Sequence, residues 1–460
     1  MLIAQGFRPS RSTKVRAVLL AGLFIICLFF CSFNHGTIVS ADTSTGVLPL
    51  QPIIDSAREG DLITLAPGAY SGPVRLDKRV TINGNGEAIL LHTAKDEQAA
   101  VLITADSVRL ENLKIQQNND GEAAAVRVEA DRVTLKGLVI HSAGYGILLR
   151  EADSGVISDN TISWFIPTGE APGTRGTGID LYNSHGAVIR GNDIAYLRDG
   201  IYLENSRNTV VDQNKLTYLR YGVHCMYING SKVTNNTGEY NITGAMVMGV
   251  TGVVVSGNSF RKQSRNVHSQ GILLYDVRNS AIINNRVEGN RVGIYMQQSS
   301  DNKLQQNLVL RNYIGVQFEN AEGNRFERNG FVANVIEAQA TGSRDNEMNG
   351  NYWDAFGGLD LTGDGVSDLK YAINPFYQQL VAGNAAYQLF FQSPGMTFLS
   401  DMYTGGSAGW STDSAPLMQL EAGTVSPDQA AGGQGTVMVA GWLLLFLSVI
   451  TIIYLGVLRL

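Results

Sequence analysis

His224, Met226, Met246 and Met248 are the residues of this chain that could do chemistry together. An imidazole with three thioethers is a soft donor set, suited to Cu(I) rather than to hard cations. A second group, Asp180, Asp199 and Glu204 with Arg198, Arg220, Tyr202 and Tyr182, lies slightly earlier. Clustered carboxylates beside basic and phenolic groups could bind an acidic sugar chain and abstract a proton next to a carboxyl group, as a lyase or epimerase would. A third group, Asp360, Thr362, Asp364, Gly365 and Asp368, follows the opening of an EF-hand-like loop, whose alternating oxygens can wrap Ca²⁺. Its twelfth position is Tyr371 where a Glu belongs, so a bare acidic turn is an equal reading.

Whether these side chains meet depends on the elements that carry them. Glycine followed by an apolar residue recurs at Gly146, Gly178, Gly200, Gly222, Gly244, Gly271, Gly293 and Gly315. Five of the seven intervals are 22 residues and the others are 32 and 27. Fourteen residues after each glycine stands an asparagine, from Asn160 through Asn192, Asn214, Asn236, Asn258, Asn285 and Asn307 to Asn329. A period in this range means a solenoid. Between the anchors apolar residues alternate, as in Ile201 and Leu203 against Tyr202 and Glu204, which is a strand signal. One such coil cannot bury a core alone. Stacked coils can, and the expected fold is all-β, a right-handed parallel β-helix of roughly a dozen coils. The phased asparagines are expected to form an internal ladder and to occupy left-handed turns.

The phase also orients side chains. Residues one and three after each glycine are apolar and face the core, among them Val223, Cys225 and Val247. Positions two and four then face solvent. His224 becomes a stacked neighbour of Met246, and Met226 of Met248, while Cys225 is a buried thiol. The patch could instead pack under a loop or against a partner protein. Both long intervals fall between an Asn and the next Gly, at Thr161–Thr177 and Ser259–Gln270. The second insertion carries His268, which could close over the patch as a further ligand.

The ends suggest export. Arg8, Arg11, Lys14 and Arg16 precede an apolar stretch, and Val39-Ser40-Ala41 resembles a cleavage site, so residues 1–41 read as a signal peptide. Residues 42–350 are the β-helix and 351–403 its C-terminal extension or cap. A Gly/Ser/Ala/Pro-rich linker at 404–436 leads to an apolar run at 437–458, long enough for a transmembrane helix. Cys27 and Cys31 would leave with the signal, so Cys225 alone remains and no intrachain disulfide forms. The net charge of -6 and the lack of a basic tract give no pointer to nucleic acid.

Four elements carry a family resemblance: RDGIYLENSRNTVVDQNKLTYLRYGVHCMYINGSKVTNN, GNYW followed by DLTGDGVSD, QLFFQSPG, and DSAPLM ending at Met418. Together they resemble the NosD family, exported β-helix proteins of nitrous oxide reductase maturation. The resemblance implies a periplasmic, non-enzymatic protein working with an ABC transporter, made of an ATPase and a membrane subunit. It implies delivery of copper, received from a periplasmic copper donor, to the copper–sulfur centre of nitrous oxide reductase, with sulfur as the alternative cargo. His224 and Met226 match the family's H-x-M element, and Met418 its tail methionine. Two positions depart from the pattern: Cys225 stands where a tyrosine is expected and Ala415 where a histidine is expected. The expected reading is a Cu(I) carrier using His224, Met226, Met246 and Met248, with His268 and Met418 as further candidates. It would be anchored to the inner membrane by its C-terminal helix. A polysaccharide lyase or epimerase and a surface adhesin are the alternatives.

Overall fold

The computed structural model describes residues 37–39 and 46–420, apart from 95, 168, 170–172, 264–265, 267, 392 and 404–409. Nearly all of the expected signal peptide and the whole apolar run at 437–458 lie outside the described residues, as does most of the linker. The strand Thr37–Val39 pairs in parallel with Ile63–Leu65. Among the described residues no helix is long and apolar enough to cross a membrane. The chain divides into two compact units, Met1–Val253 and Val254–Leu460.

Both units are parallel β-solenoids of the right-handed type, with about 22 residues per coil and about 14 turns counted over the chain. Three short strands make one coil, for example Val210–Asp212, Lys215–Thr217 and Tyr221–Met226 in the first unit. Each pairs in register with the same strand of the next coil, as Val188–Arg190 does with Val210–Asp212. Inward residues such as Ile201, Leu203, Val223 and Val247 are fully buried. Alternation thus read the core correctly.

The two anchors have separate causes. A Cβ on Gly200 would lie 2.5 Å from the carbonyl oxygen of Gly222, and one on Gly222 the same distance from that of Gly244. Glycine is required there because successive coils approach too closely for any side chain. The asparagines form the expected buried ladder. Asn192 Nδ2 donates to Asn214 Oδ1 at 2.9 Å, and Asn214 Nδ2 to Asn236 Oδ1 at 2.9 Å. Their expected left-handed conformation is corrected, because it belongs to the preceding residue. Gln213 has φ +56° and Asn235 +54°, while Asn214 and Asn236 are not left-handed. The turn is made one residue early, so that the amide can point inward.

In the second unit the ladder runs from Asn258 through Asn285, Asn307 and Asn329 to Asn351. Asp413 ends it, accepting from Asn351 Nδ2 at 2.8 Å and from Trp353 Nε1 at 3.1 Å. The DSAPLM tail therefore closes the stack. Two helices not foreseen from the sequence, α1 (Phe376–Gly383) and α2 (Pro394–Met402), belong to the C-terminal extension. Tyr377, Leu380 and Met396 from them pack with Phe391 against Val292, Ile314 and Ile336 of the solenoid.

Candidate metal site

Five strands of one sheet in the first unit build the site: β1 (Tyr145–Arg150), β2 (Ile179–Tyr182), β3 (Asp199–Glu204), β4 (Tyr221–Met226) and β5 (Thr243–Thr251). Their register stacks two outer rows. The first runs Leu148, Asp180, Tyr202, His224, Met246, and the second Arg150, Tyr182, Glu204, Met226, Met248. The pairing of His224 with Met246 and of Met226 with Met248 is the one expected from the period.

Exposure differs from expectation. His224 keeps only 7% of its surface, while Met226, Met246 and Met248 are half-buried. Phase sets only the direction of a side chain. Here Tyr202 and Tyr221 lie beside the imidazole, each with its ring centroid 4.8 Å away, and shield it from water. Cys225 points into the core as expected, and burial pushes its thiol up to about 12.

His224 Nδ1 lies 3.4 Å from Asp199 Oδ2. Arg220 grips the same carboxylate with Nε to Oδ1 at 2.8 Å and Nη2 to Oδ2 at 2.6 Å. Burial pushes the Asp199 carboxyl up, but the bonds from Arg220 and then His224 outweigh it and hold the group below its ordinary value. His224 Nε2 is buried and has no hydrogen-bond partner among the described residues. Such an orphan costs about 1–3 kcal/mol. A ligand arriving at Nε2 would recover that cost.

The acidic set and the soft set are therefore one cluster. Asp199, singled out above as part of a sugar-binding site, faces His224 Nδ1 and is held there by Arg220 of the same set. Asp180 is tied to Arg150 Nη1 at 2.7 Å, and burial outweighs that partner to raise its carboxyl. Tyr202 Oη donates to Glu204 Oε2 at 2.8 Å and lies 3.2 Å from Met226 Sδ. Burial and then Glu204 raise the Tyr202 phenol well above its ordinary value. Arg198 and the half-exposed Tyr182 stay at the surface. Arg198, Tyr218 and Arg220 line an adjoining cleft of about 390 Å³. Sequence reasoning missed Tyr221 entirely. Its signal was its position 22 residues after Asp199, which makes the two register partners.

The remaining candidates lie in the second unit. His268 is exposed, and its backbone N–H donates to Asn266 Oδ1. In the acidic loop Asp360 accepts from the backbone N–H groups of Gly363 and Gly365, and from Thr362 Oγ1. Asp364 accepts from Val366 N, and Asp368 from Leu361 N. These carboxylates are engaged in shaping the turn. Met418 is half-buried beside this loop, donating its backbone N–H to Gly365 O. Among the described residues no three His, Cys, Asp or Glu side chains converge as a metal-holding group. A soft site in the first unit would rest on one imidazole and thioethers, and His224, whose Nε2 has no hydrogen-bond partner among the described residues, is the register partner of Met246, which fits that set.

Residues 165–358 match the family model described as periplasmic copper-binding protein (NosD), a region that holds the RDGIYLEN-to-VTNN element and GNYW but ends before DLTGDGVSD, QLFFQSPG and DSAPLM. It contains every residue of the cluster from Asp180 to Met248. Residues 49–244 match a second model, a protein of unknown function (DUF1565). Among solved structures the chain is similar to a family 28 exopolygalacturonase of Yersinia enterocolitica, at 11% identity and TM-score 0.48, covering 67% of this chain and 77% of that one. It is also similar to the A-module of the mannuronan C-5 epimerase AlgE6 of Azotobacter vinelandii, at 14% identity and TM-score 0.43, covering 65% and 96%. The DFA-IIIase of Arthrobacter chlorophenolicus A6 matches at 16% identity and TM-score 0.45, covering 68% and 88%. Likeness at this level carries no statement about activity.

Proposed function

We propose that this protein is a non-catalytic periplasmic carrier that holds Cu(I) at His224, Met226, Met246 and Met248 and passes it on. The observation that carries the reading is the buried His224 Nε2, which has no hydrogen-bond partner among the described residues, on a strand whose register pairs His224 with Met246 and Met226 with Met248. The NosD match supports the choice of copper and of the periplasm. Thioethers bind Cu(I) without losing a proton, and half-buried ones can be displaced stepwise by an incoming ligand. The recipient would be nitrous oxide reductase and its copper–sulfur centre, and a periplasmic copper donor would supply the metal. An ABC transporter, through its ATPase and membrane subunit, would work beside it. The apolar run at 437–458 would anchor the carrier to the inner membrane near that partner.

The acidic cluster offers less to a sugar-processing reading. Asp180 and Asp199 are each tied to an arginine, and Glu204 accepts a hydrogen bond from the Tyr202 hydroxyl, so each of the three carboxylates is already engaged within the protein.

Titration of Cu(I) into the full chain against a competing chelator tests the reading. Tight binding that is lost in the His224→Ala/Met226→Leu double variant is the expected result. A folded protein that binds no Cu(I), or a variant that binds as tightly as wild type, would overturn it.

A further inference from the structure

We propose that Asp199 is a positioning residue that fixes His224 in one tautomer, with the proton on Nδ1 and a bare lone pair on Nε2. The inference rests on the reading of His224 as a copper ligand and adds what prepares that ligand. Both Asp199 oxygens already accept from the Arg220 fork, a geometry made for an ionised carboxylate. An ionised carboxylate only accepts hydrogen bonds. The nitrogen facing it, His224 Nδ1 at 3.4 Å, must therefore be the donor.

A neutral imidazole has one N–H, so Nε2 is left with its lone pair. Among the described residues nothing on the other side of the ring competes for the choice, because Nε2 meets no hydrogen-bond partner there. Tyr202 and Tyr221 beside the ring limit its turning, which keeps the two nitrogens from exchanging places. A carboxylate behind the non-ligating nitrogen is the usual way proteins orient a metal-binding histidine and raise its basicity. The arrangement also explains the arginine. Arg220 reaches Asp199 from the adjacent coil and holds both oxygens, so the carboxylate cannot swing out toward solvent.

The test uses the metal-free full chain labelled with ¹⁵N in its six histidines. Ring nitrogen shifts of wild type are compared with those of Asp199→Asn and His224→Ala, the latter assigning the signal. Cu(I) affinity by chelator competition is measured on the same samples. The expected result is Nδ1–H in wild type, loss of that preference in Asp199→Asn, and Cu(I) affinity about 10–100-fold weaker in that variant. An Nε2–H tautomer in wild type overturns the proposal, and this arm needs no variant to fold. A folded Asp199→Asn that keeps both the tautomer and the affinity also overturns it. If His224→Ala binds Cu(I) as tightly as wild type, the copper reading fails instead, and the tautomer measurement is still decided independently.

Discussion

His224 shows how little a side chain's direction says about its environment. It lies on an outward row, yet it is nearly inaccessible, with one nitrogen facing Asp199 and the other without a partner among the described residues. Among the neighbouring thioethers, Met226 Sδ meets the Tyr202 hydroxyl at 3.2 Å, a weak contact. Leucine fills nearly the same volume as methionine, and such swaps cost less than about 1.5 kcal/mol each. A Met226→Leu/Met246→Leu/Met248→Leu variant should therefore keep its β-rich circular dichroism and thermal transition while losing copper loading of the reductase. Normal reductase maturation by the folded triple variant would place the copper elsewhere. Residue types and phase predicted this pairing of rows. The partnership of His224 with Asp199 could not be read from them, because it reaches diagonally between neighbouring coils.

At the scale of the element, each coil is held by what it cannot replace. The amide of Asn214 donates to Asn236 and to the backbone oxygens of Ile189 and Asp212, while its oxygen accepts from Asn192. Asn214→Ala orphans several of these buried groups at about 1–3 kcal/mol each, so a loss of at least about 3 kcal/mol is expected in urea unfolding. Gly222→Ala should be comparably damaging, because the new methyl would meet the Gly244 carbonyl oxygen at 2.5 Å. A wild-type midpoint for either variant would show that the coils can separate without cost. Glycine and asparagine were legible as anchors because they recur at one phase. Helices α1 and α2 occur once, after the repeats, so no period announced them.

At the scale of the molecule, the two units differ in what they bury. The second carries a half-open pocket of about 860 Å³ lined by Glu337, Phe356, Tyr371, Tyr377, Tyr403 and Trp410. Burial pushes the Glu337 carboxyl up to about 8, against the bond from Ala355 N, and Asp354 adds to the rise. The folded state therefore holds a proton that the unfolded chain releases near 4.5. Stability from this group is fully present below that pH and is lost as pH rises toward about 8, by up to about 1.4 kcal/mol per pH unit. Chemical denaturation between pH 5 and 8 should show this slope, and Glu337→Gln should flatten it. An unchanged slope in the variant would assign the dependence to another group.

The sequence by itself determined the solenoid, its coil length, the inward and outward rows and the stacked partner of each outward residue. All of these follow from periodicity, which local composition encodes directly. It also carried the family resemblance in short motifs. Only the tertiary structure decided that two separate-looking clusters are one, that the exposed patch is shielded, and that the tail ends the asparagine ladder through Asp413. These depend on side-chain length and on contacts between coils at different phases. A period fixes which backbone positions stack, while the reach of an arginine or the tilt of a tyrosine ring is settled only when the coils are packed.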